Sequence, residues 1–246
     1  GVVAARSGQT ISPTTLTNLA DNAPDLPVPW PPAARELFAD LLGSGPGLRA
    51  VWEGLDLVGL VSRWIPAWTP LRNRPQRSPV HRHTVDRHSV EAVVMAAGLV
   101  REVERPDLLL VAALLHDVGK IPEAHDHSVV GASLAERVCV NMGFDARDVV
   151  LVTRLVREHL TLVNLATQRD IGDPATVDTL VDAVAGDEET LLLLRALTEA
   201  DARSVGPAAW TSWRARLVTA LFDATRAALR GTRSPAPVDD AAFGDE

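Results

Sequence analysis

The chain has 246 residues and a formal net charge of -8, which admits one large domain, or one domain with an appendage, and argues against broad nucleic-acid binding. Aromatics make up 4% and Tyr is absent, against 46% hydrophobic residues, so the core must be built from Leu, Val and Ala, a composition that favours helices. The one cysteine, Cys139, excludes an internal disulfide, and no run is long and apolar enough to span a bilayer as a helix, so a cytoplasmic protein is expected.

Residues 1–11 read as a frayed strand of little signal. Because the chain opens on Gly1 rather than Met, a fragment of a longer protein, or a processed one, is expected. Ser12-Pro13 starts a short helix, with Ser as N-cap and Pro at the first position. A Pro-rich linker follows at Pro24, Pro27, Pro29, Pro31 and Pro32. A helix then runs from about Pro32 to Leu42, and Gly43 to Gly47 form a turn. The next helix carries Leu48, Val51, Trp52, Leu55, Leu57, Val58 and Val61 at amphipathic spacing and stops at Pro66. Pro70, Pro75 and Pro79 break any helix in 67–82, while Arg72, Arg74, Arg77 and Arg82 make a basic, extended loop. That loop reads equally as a solvated connector or as a phosphate-facing rim.

From Thr84 onward the pattern is helical almost throughout. The spacing predicts a helix over 84–103 with Val90, Val93, Val94, Ala97 and Val100 inward, then one capped by Asp107 that reaches about Val118. Ser128 opens a helix to Met142, Arg147 to Leu160 is another, and Asp173-Pro174 opens one to about Val184. Asp187 opens a helix to Arg203, and Ala208 to Leu229 is the last. The expected organisation is all-α. A helical N-terminal region covers 1–78, the main domain 79–230, and a Pro-, Ala- and Asp-rich tail, disordered or a linker, 231–246. Trp210, Trp213 and Cys139 read as core.

The chemistry concentrates at Leu114-Leu115-His116-Asp117-Val118-Gly119-Lys120. A buried helix ending in adjacent His and Asp puts an imidazole and a carboxylate at one spot, and both are good ligands for a divalent metal. Lys120 follows, the only lysine in the chain, a compact charge suited to a phosphate oxygen. All seven histidines lie between 81 and 159. His88 is in the first turns of a helix, His116 ends one, His127 lies just before one and His159 near the end of another. Helix ends meeting at one point build a metal site in a bundle. Asp201, late in its helix where an acid opposes the dipole, is the completing carboxylate. His81, His83 and His125 read as loop residues.

The order His88, His116-Asp117, His127, His159, Asp201, with Lys120 after the pair, resembles the HD-domain metal-dependent phosphohydrolase superfamily. The likeness narrows at the stretch from Pro75 to His88, at His127-Ser128 with Gly131-Ala132, and at Arg157-Glu158-His159-Leu160. It continues at Gln168 to Pro174, Leu197 to Asp201 and Trp210 to Trp213. These are similar to the HD region of the bacterial bifunctional PII uridylyltransferase/uridylyl-removing family, and Pro29-Trp30-Pro31 and Val51 to Asp56 resemble the helical segment before it. The resemblance implies an irregular helical bundle over about 25–230. It also implies hydrolytic removal of a nucleotidyl group, UMP or AMP, from a Tyr of the signalling protein PII in nitrogen regulation. Lys120 and Asp117 would be catalytic. His88, His116, Asp117 and Asp201 would hold a primary metal, and His127 and His159, with Asp117 bridging, a second. Mn2+ or Mg2+ is the leading expectation, and Fe or Zn2+ also suits mixed N/O ligands. The family's transferase motif and its glutamine-sensing ACT domains find no counterpart in these residues, and the connector Ile121 to Asp126 is longer and stiffer than the family's Gly-rich one. Arg214 stands where the family often has Lys. Two other readings stand beside this one: a free-standing phosphohydrolase of a small nucleotide, and a non-catalytic module that binds PII.

Overall fold

The computed structural model describes residues 1–76 and 83–231. Among them there are thirteen α-helices, three short 3-10 turns and no strand, so the molecule is all-α. The expected boundary at 78/79, His81 and the tail beyond residue 231 lie outside the described residues.

The organising element is α7, Pro106–Leu115. Every residue from Leu108 to Leu115 is buried, because a helix apolar on all sides has no face to give to water. Each fully buried Leu there contributes roughly 1.5–3 kcal/mol. Arg105 fixes the helix start: its guanidinium makes paired bonds of 2.7 and 2.6 Å to Asp148 and also clasps Asp107. Asp107 is thus an ion-pair partner in the first turn rather than the cap. α6 (Val85–Ala97) and α9 (Ala146–Glu158) pack on α7, as does α12 (Glu188–Val205). α8 (His127–Asn141) lies along α9, and α13 (Ser212–Leu229) closes the far side over α10 (Thr161–Gln168) and α11 (Pro174–Ala183).

The N-terminal helices are α1 (Val2–Arg6), α2 (Pro13–Asn22), α3 (Pro32–Leu42), α4 (Leu48–Leu57) and α5 (Leu60–Trp64). They share one continuous apolar core with the rest, in which Trp30, Phe38, Trp52 and Trp68 form a chain of tilted rings. Residues 2–6 are a helix and not a strand, since Ala5 packs into that core. The single helix expected over 48–61 is two, because Gly59 takes a left-handed φ of 79° that few other residues adopt. The helix from 84 ends at Ala97 and gives way to a 3-10 turn, with Ala96 rather than Ala97 inward. α10 was not expected at all. Ser12 caps α2 as predicted, while α8 is capped by Asp126, two residues before Ser128. Trp213 is 53% exposed and is not core, whereas Trp210 packs partly against it. Cys139 is fully buried, and burial pushes its thiol up to about 12, as expected of a packing residue.

The turn after α7 meets α8 backbone to backbone. A Cβ on Gly119 would stand 2.0 Å from the carbonyl oxygen of His127 and 2.4 Å from the Gly131 nitrogen. Glycine is required by this approach, and the approach sets how far His127 stands from Asp117. Gly119→Ala should therefore cost about 2–3 kcal/mol, lowering the melting temperature by roughly 5–10 °C. An unchanged melting temperature would show that the turn and α8 are not held in contact.

Candidate metal centre

Five helices and one turn bring the site together. α6 places His88 on its buried face, and α7 ends at His116 in the C-cap position, with Asp117 in the turn that follows. α8 opens with His127, its first residue, because the Asp126 carboxylate accepts from the Ser128 and Val129 amides. α9 ends at His159, and α12 carries Asp201. All six expected ligand residues are at one place. His88, His116, Asp117 and His159 are at most 2% exposed, and the side chain of Asp201 is 21% exposed.

Asp117 is the hub, and its two oxygens face different partners. Oδ2 lies 3.5 Å from His88 Nε2 and 3.4 Å from His116 Nε2, while Oδ1 lies 3.9 Å from His127 Nε2 and 3.7 Å from His159 Nε2. Asp201 Oδ1 joins the first set, 3.0 Å from His88 Nε2 and 3.5 Å from His116 Nε2. Two groups whose ligand atoms lie close enough to hold a metal ion result: His88, His116 and Asp117, and Asp117, His127 and His159.

The imidazole tautomers are set from behind. His116 Nδ1 donates to the Ala113 carbonyl at 2.8 Å and His159 Nδ1 to the Val156 carbonyl at 2.7 Å. Ser204 donates its one hydroxyl proton to the Asp201 carbonyl at 2.6 Å, so its oxygen accepts from His88 Nδ1 at 3.0 Å. Each ring thus spends its Nδ1 proton outward and turns Nε2 to the cluster, the arrangement by which outer partners orient metal-binding histidines. His127 Nε2 is buried and has no hydrogen-bond partner among the described residues. A buried polar atom of that kind calls for a ligand. The donor set and this orphaned nitrogen fit a divalent cation.

Positive charge already gathers on the two carboxylates. Burial opposes ionisation of His116, but Asp117 and Asp201 outweigh it and raise its pKa to about 9. Burial also opposes the charge on Asp117, and His116, Lys120 and His159 hold it well below the usual carboxylate range. Burial likewise works against ionised Asp201, yet His116 and His88 bring it down to about 2. His159 is pushed down to about 4 by burial and by His116, and burial lowers His127. The two carboxylates therefore bias His116 toward its charged form, and its Nε2 lies 3.1 Å from His88 Nε2.

Lys120 lies 2.7 Å from Asp117 Oδ2 and donates to Gln76 Oε1 at 3.0 Å. Of the basic loop, Arg72 pairs with Asp56 at 2.9 Å and Arg77 and Arg82 lie outside the described residues, so Arg72 serves the connector reading rather than a phosphate rim. His125 is an exposed loop residue, as expected. Sequence reasoning missed Ser204 and Gln76. Neither carries a signal in its residue type, since each acts through one hydrogen bond formed only in the folded chain.

Residues 85–206 match the family model described as HD domain. The chain is 51% identical over 232 residues to the bifunctional uridylyltransferase/uridylyl-removing enzyme of Streptomyces coelicolor, covering 94% of this chain and 28% of that protein. The enzyme of the same name from Mycobacterium tuberculosis is 44% identical over 231 residues, again 94% of this chain and 28% of the relative. That of Corynebacterium glutamicum is 37% identical over 236 residues, 96% of this chain and 34% of the relative. The chain thus spans about a third or less of the length of these relatives. Among the described residues, no helix is long and apolar enough to cross a membrane.

A metal ion held by His116 Nε2 would compete with the proton that the carboxylates favour there. A His pKa raised on folding contributes stability that is full below about 6.5 and is lost as the pH climbs toward 9. Metal-stripped protein should therefore melt at falling temperature from pH 6.5 to 8.5. With saturating Mg2+ or Mn2+ the fall should shrink or reverse, because binding releases that proton. Calorimetric melting with chelator and with metal checks this. Parallel pH profiles in the two series would contradict the competition.

Proposed function

We propose, for a chain whose residues 85–206 belong to the HD domain family, that it is a metal-dependent phosphodiesterase that removes a nucleotidyl group, UMP in the first instance, from a Tyr of the signalling protein PII. The observation that carries the reading is the placement of Asp117, with one carboxylate oxygen toward His88, His116 and Asp201 and the other toward His127 and His159. The name of the relatives supplies the uridylyl group that is removed, a role an HD domain accounts for, and the resemblance to that family supplies PII as its carrier. On this reading residues 79–230 form the hydrolytic unit and the helices before them support it.

His88, His116, Asp117 and Asp201 would hold one divalent ion and Asp117, His127 and His159 a second, with Mn2+ or Mg2+ favoured by the mixed nitrogen and oxygen donors. Bound ions supply a nucleophile at neutral pH and neutralise phosphate charge. The residues do the rest. The outward Nδ1 bonds of His88, His116 and His159 keep their rings fixed, so no reorganisation is needed as charge develops. The buried floor formed by α7 excludes water from beneath the cluster. Lys120, one quarter exposed beside Asp117, meets the phosphoryl oxygens of a substrate entering from solvent.

Release of UMP from uridylylated PII in the presence of Mn2+ tests the reading directly, with free nucleotides offered in parallel. Asp117→Ala should abolish release. His127→Ala and His159→Ala should lower turnover by roughly two to four orders of magnitude while the first group keeps its ion. Hydrolysis of free nucleotides with none of PII would replace the substrate, and no hydrolysis of either would remove the enzyme reading.

A further inference from the structure

We infer that Gln76 is a substrate-positioning residue that sets the Lys120 ammonium with its amide oxygen and offers its amide nitrogen to a non-bridging phosphoryl oxygen. The inference rests on the phosphodiesterase reading. Gln76 lies outside the matched HD segment, 85–206, so the segment before the domain would complete the site.

The local fold brings Gln76 to the site edge. The Asn73 amide donates to Asp86 Oδ2 at 2.8 Å, and the Val85 amide donates to the Arg74 carbonyl at 2.8 Å. These two bonds tie the segment to the start of α6, the helix that carries His88 three residues later. Gln76, two residues beyond Arg74, reaches Lys120 across 44 positions of sequence at 3.0 Å.

An ammonium has three N–H donors. Gln76 Oε1 takes one of them by a hydrogen bond and Asp117 Oδ2 pairs with the charge at 2.7 Å, which leaves donor capacity for an incoming anion. When Asp117 turns its charge to a cation, Gln76 Oε1 is the contact that keeps Lys120 in place. The other half of the same planar amide is also informative. Gln76 Nε2 is buried and has no hydrogen-bond partner among the described residues, a state with a desolvation cost unless a ligand acceptor relieves it. An amide N–H beside an ammonium, both at the rim of a cation-binding cluster, suits a tetrahedral anion with more than one free oxygen. That is the non-bridging face of a phosphodiester.

The test uses the full chain with Mn2+ and two probes, inorganic phosphate and UMP, measured by titration calorimetry for wild type, Gln76→Glu, Gln76→Met and Gln76→Ala. Mn2+ affinity is measured on the same samples without phosphate. Gln76→Met and Gln76→Ala should weaken phosphate and UMP binding about tenfold or more, the loss of one charge-assisted hydrogen bond. Gln76→Glu keeps an oxygen for Lys120 but repels the anion, so it should weaken binding further than Gln76→Met. Mn2+ affinity should stay within about twofold in all three variants, because the amide touches no ligand atom. Wild-type phosphate affinity in the variants would overturn the inference. So would Mn2+ affinity falling in step with phosphate affinity, which marks a structural role only, or no phosphate binding by wild type. Phosphate binding that depends on Gln76 in a protein that hydrolyses no nucleotidyl-PII would fail the functional reading and leave the anion contact standing.

Discussion

Two carboxylates, fully buried Asp117 and part-exposed Asp201, stand against the same pair of buried imidazoles. Buried charge of one sign is costly unless it is paired and hydrogen-bonded. The Lys120 ammonium and the bias of His116 toward its charged form offset part of that cost, and the unprotonated imidazole nitrogens turned inward leave the rest to a cation. The balance is met by groups that can yield to a divalent cation, since protons leave His116 more readily than a fixed arginine would leave a carboxylate. The guanidinium–carboxylate pairs at the start of α7, Arg105 with Asp148 and with Asp107, lie at the opposite end of the helix, where they hold structure and not chemistry.

The fold delivers these groups from helix ends. His116, His127 and His159 sit at the last or first turns of α7, α8 and α9. At the C-termini of α7 and α9, backbone carbonyls without helical partners accept the outward Nδ1 protons of His116 and His159. The same geometry that leaves carbonyls unsatisfied at a helix terminus thus fixes the tautomer of the ligand. Gly119 then holds the His116–Asp117 turn against α8, so the spacing between the two ligand groups follows from a backbone contact and not from flexible side chains.

Much of this was legible in the chain before folding. The uninterrupted apolar run Leu108–Leu115 is visible as a buried helix, and the Ser12 and Asp173 caps follow from residue type and a following proline. The six candidate ligand residues were legible by kind and order, and the order was the informative part, since His and Asp at helix ends also serve as dipole partners and caps. Other features were not. Gly59 in an amphipathic run looks tolerable until its left-handed φ breaks the helix. The short helix α1 has too few residues to show a period, and its burial comes from distant partners. Trp213 looks like core by composition, yet α13 turns it outward. Ser204 and Gln76 are polar residues whose meaning depends on a single partner far away in sequence.

The central claim is that one buried carboxylate serves two cation positions. Anomalous diffraction at the manganese edge, from crystals grown with Mn2+, tests it most directly. The account predicts two anomalous peaks, one among His88, His116, Asp117 Oδ2 and Asp201 and the other among Asp117 Oδ1, His127 and His159. A single peak, or two peaks with Asp117 bound to neither or only one, would contradict it.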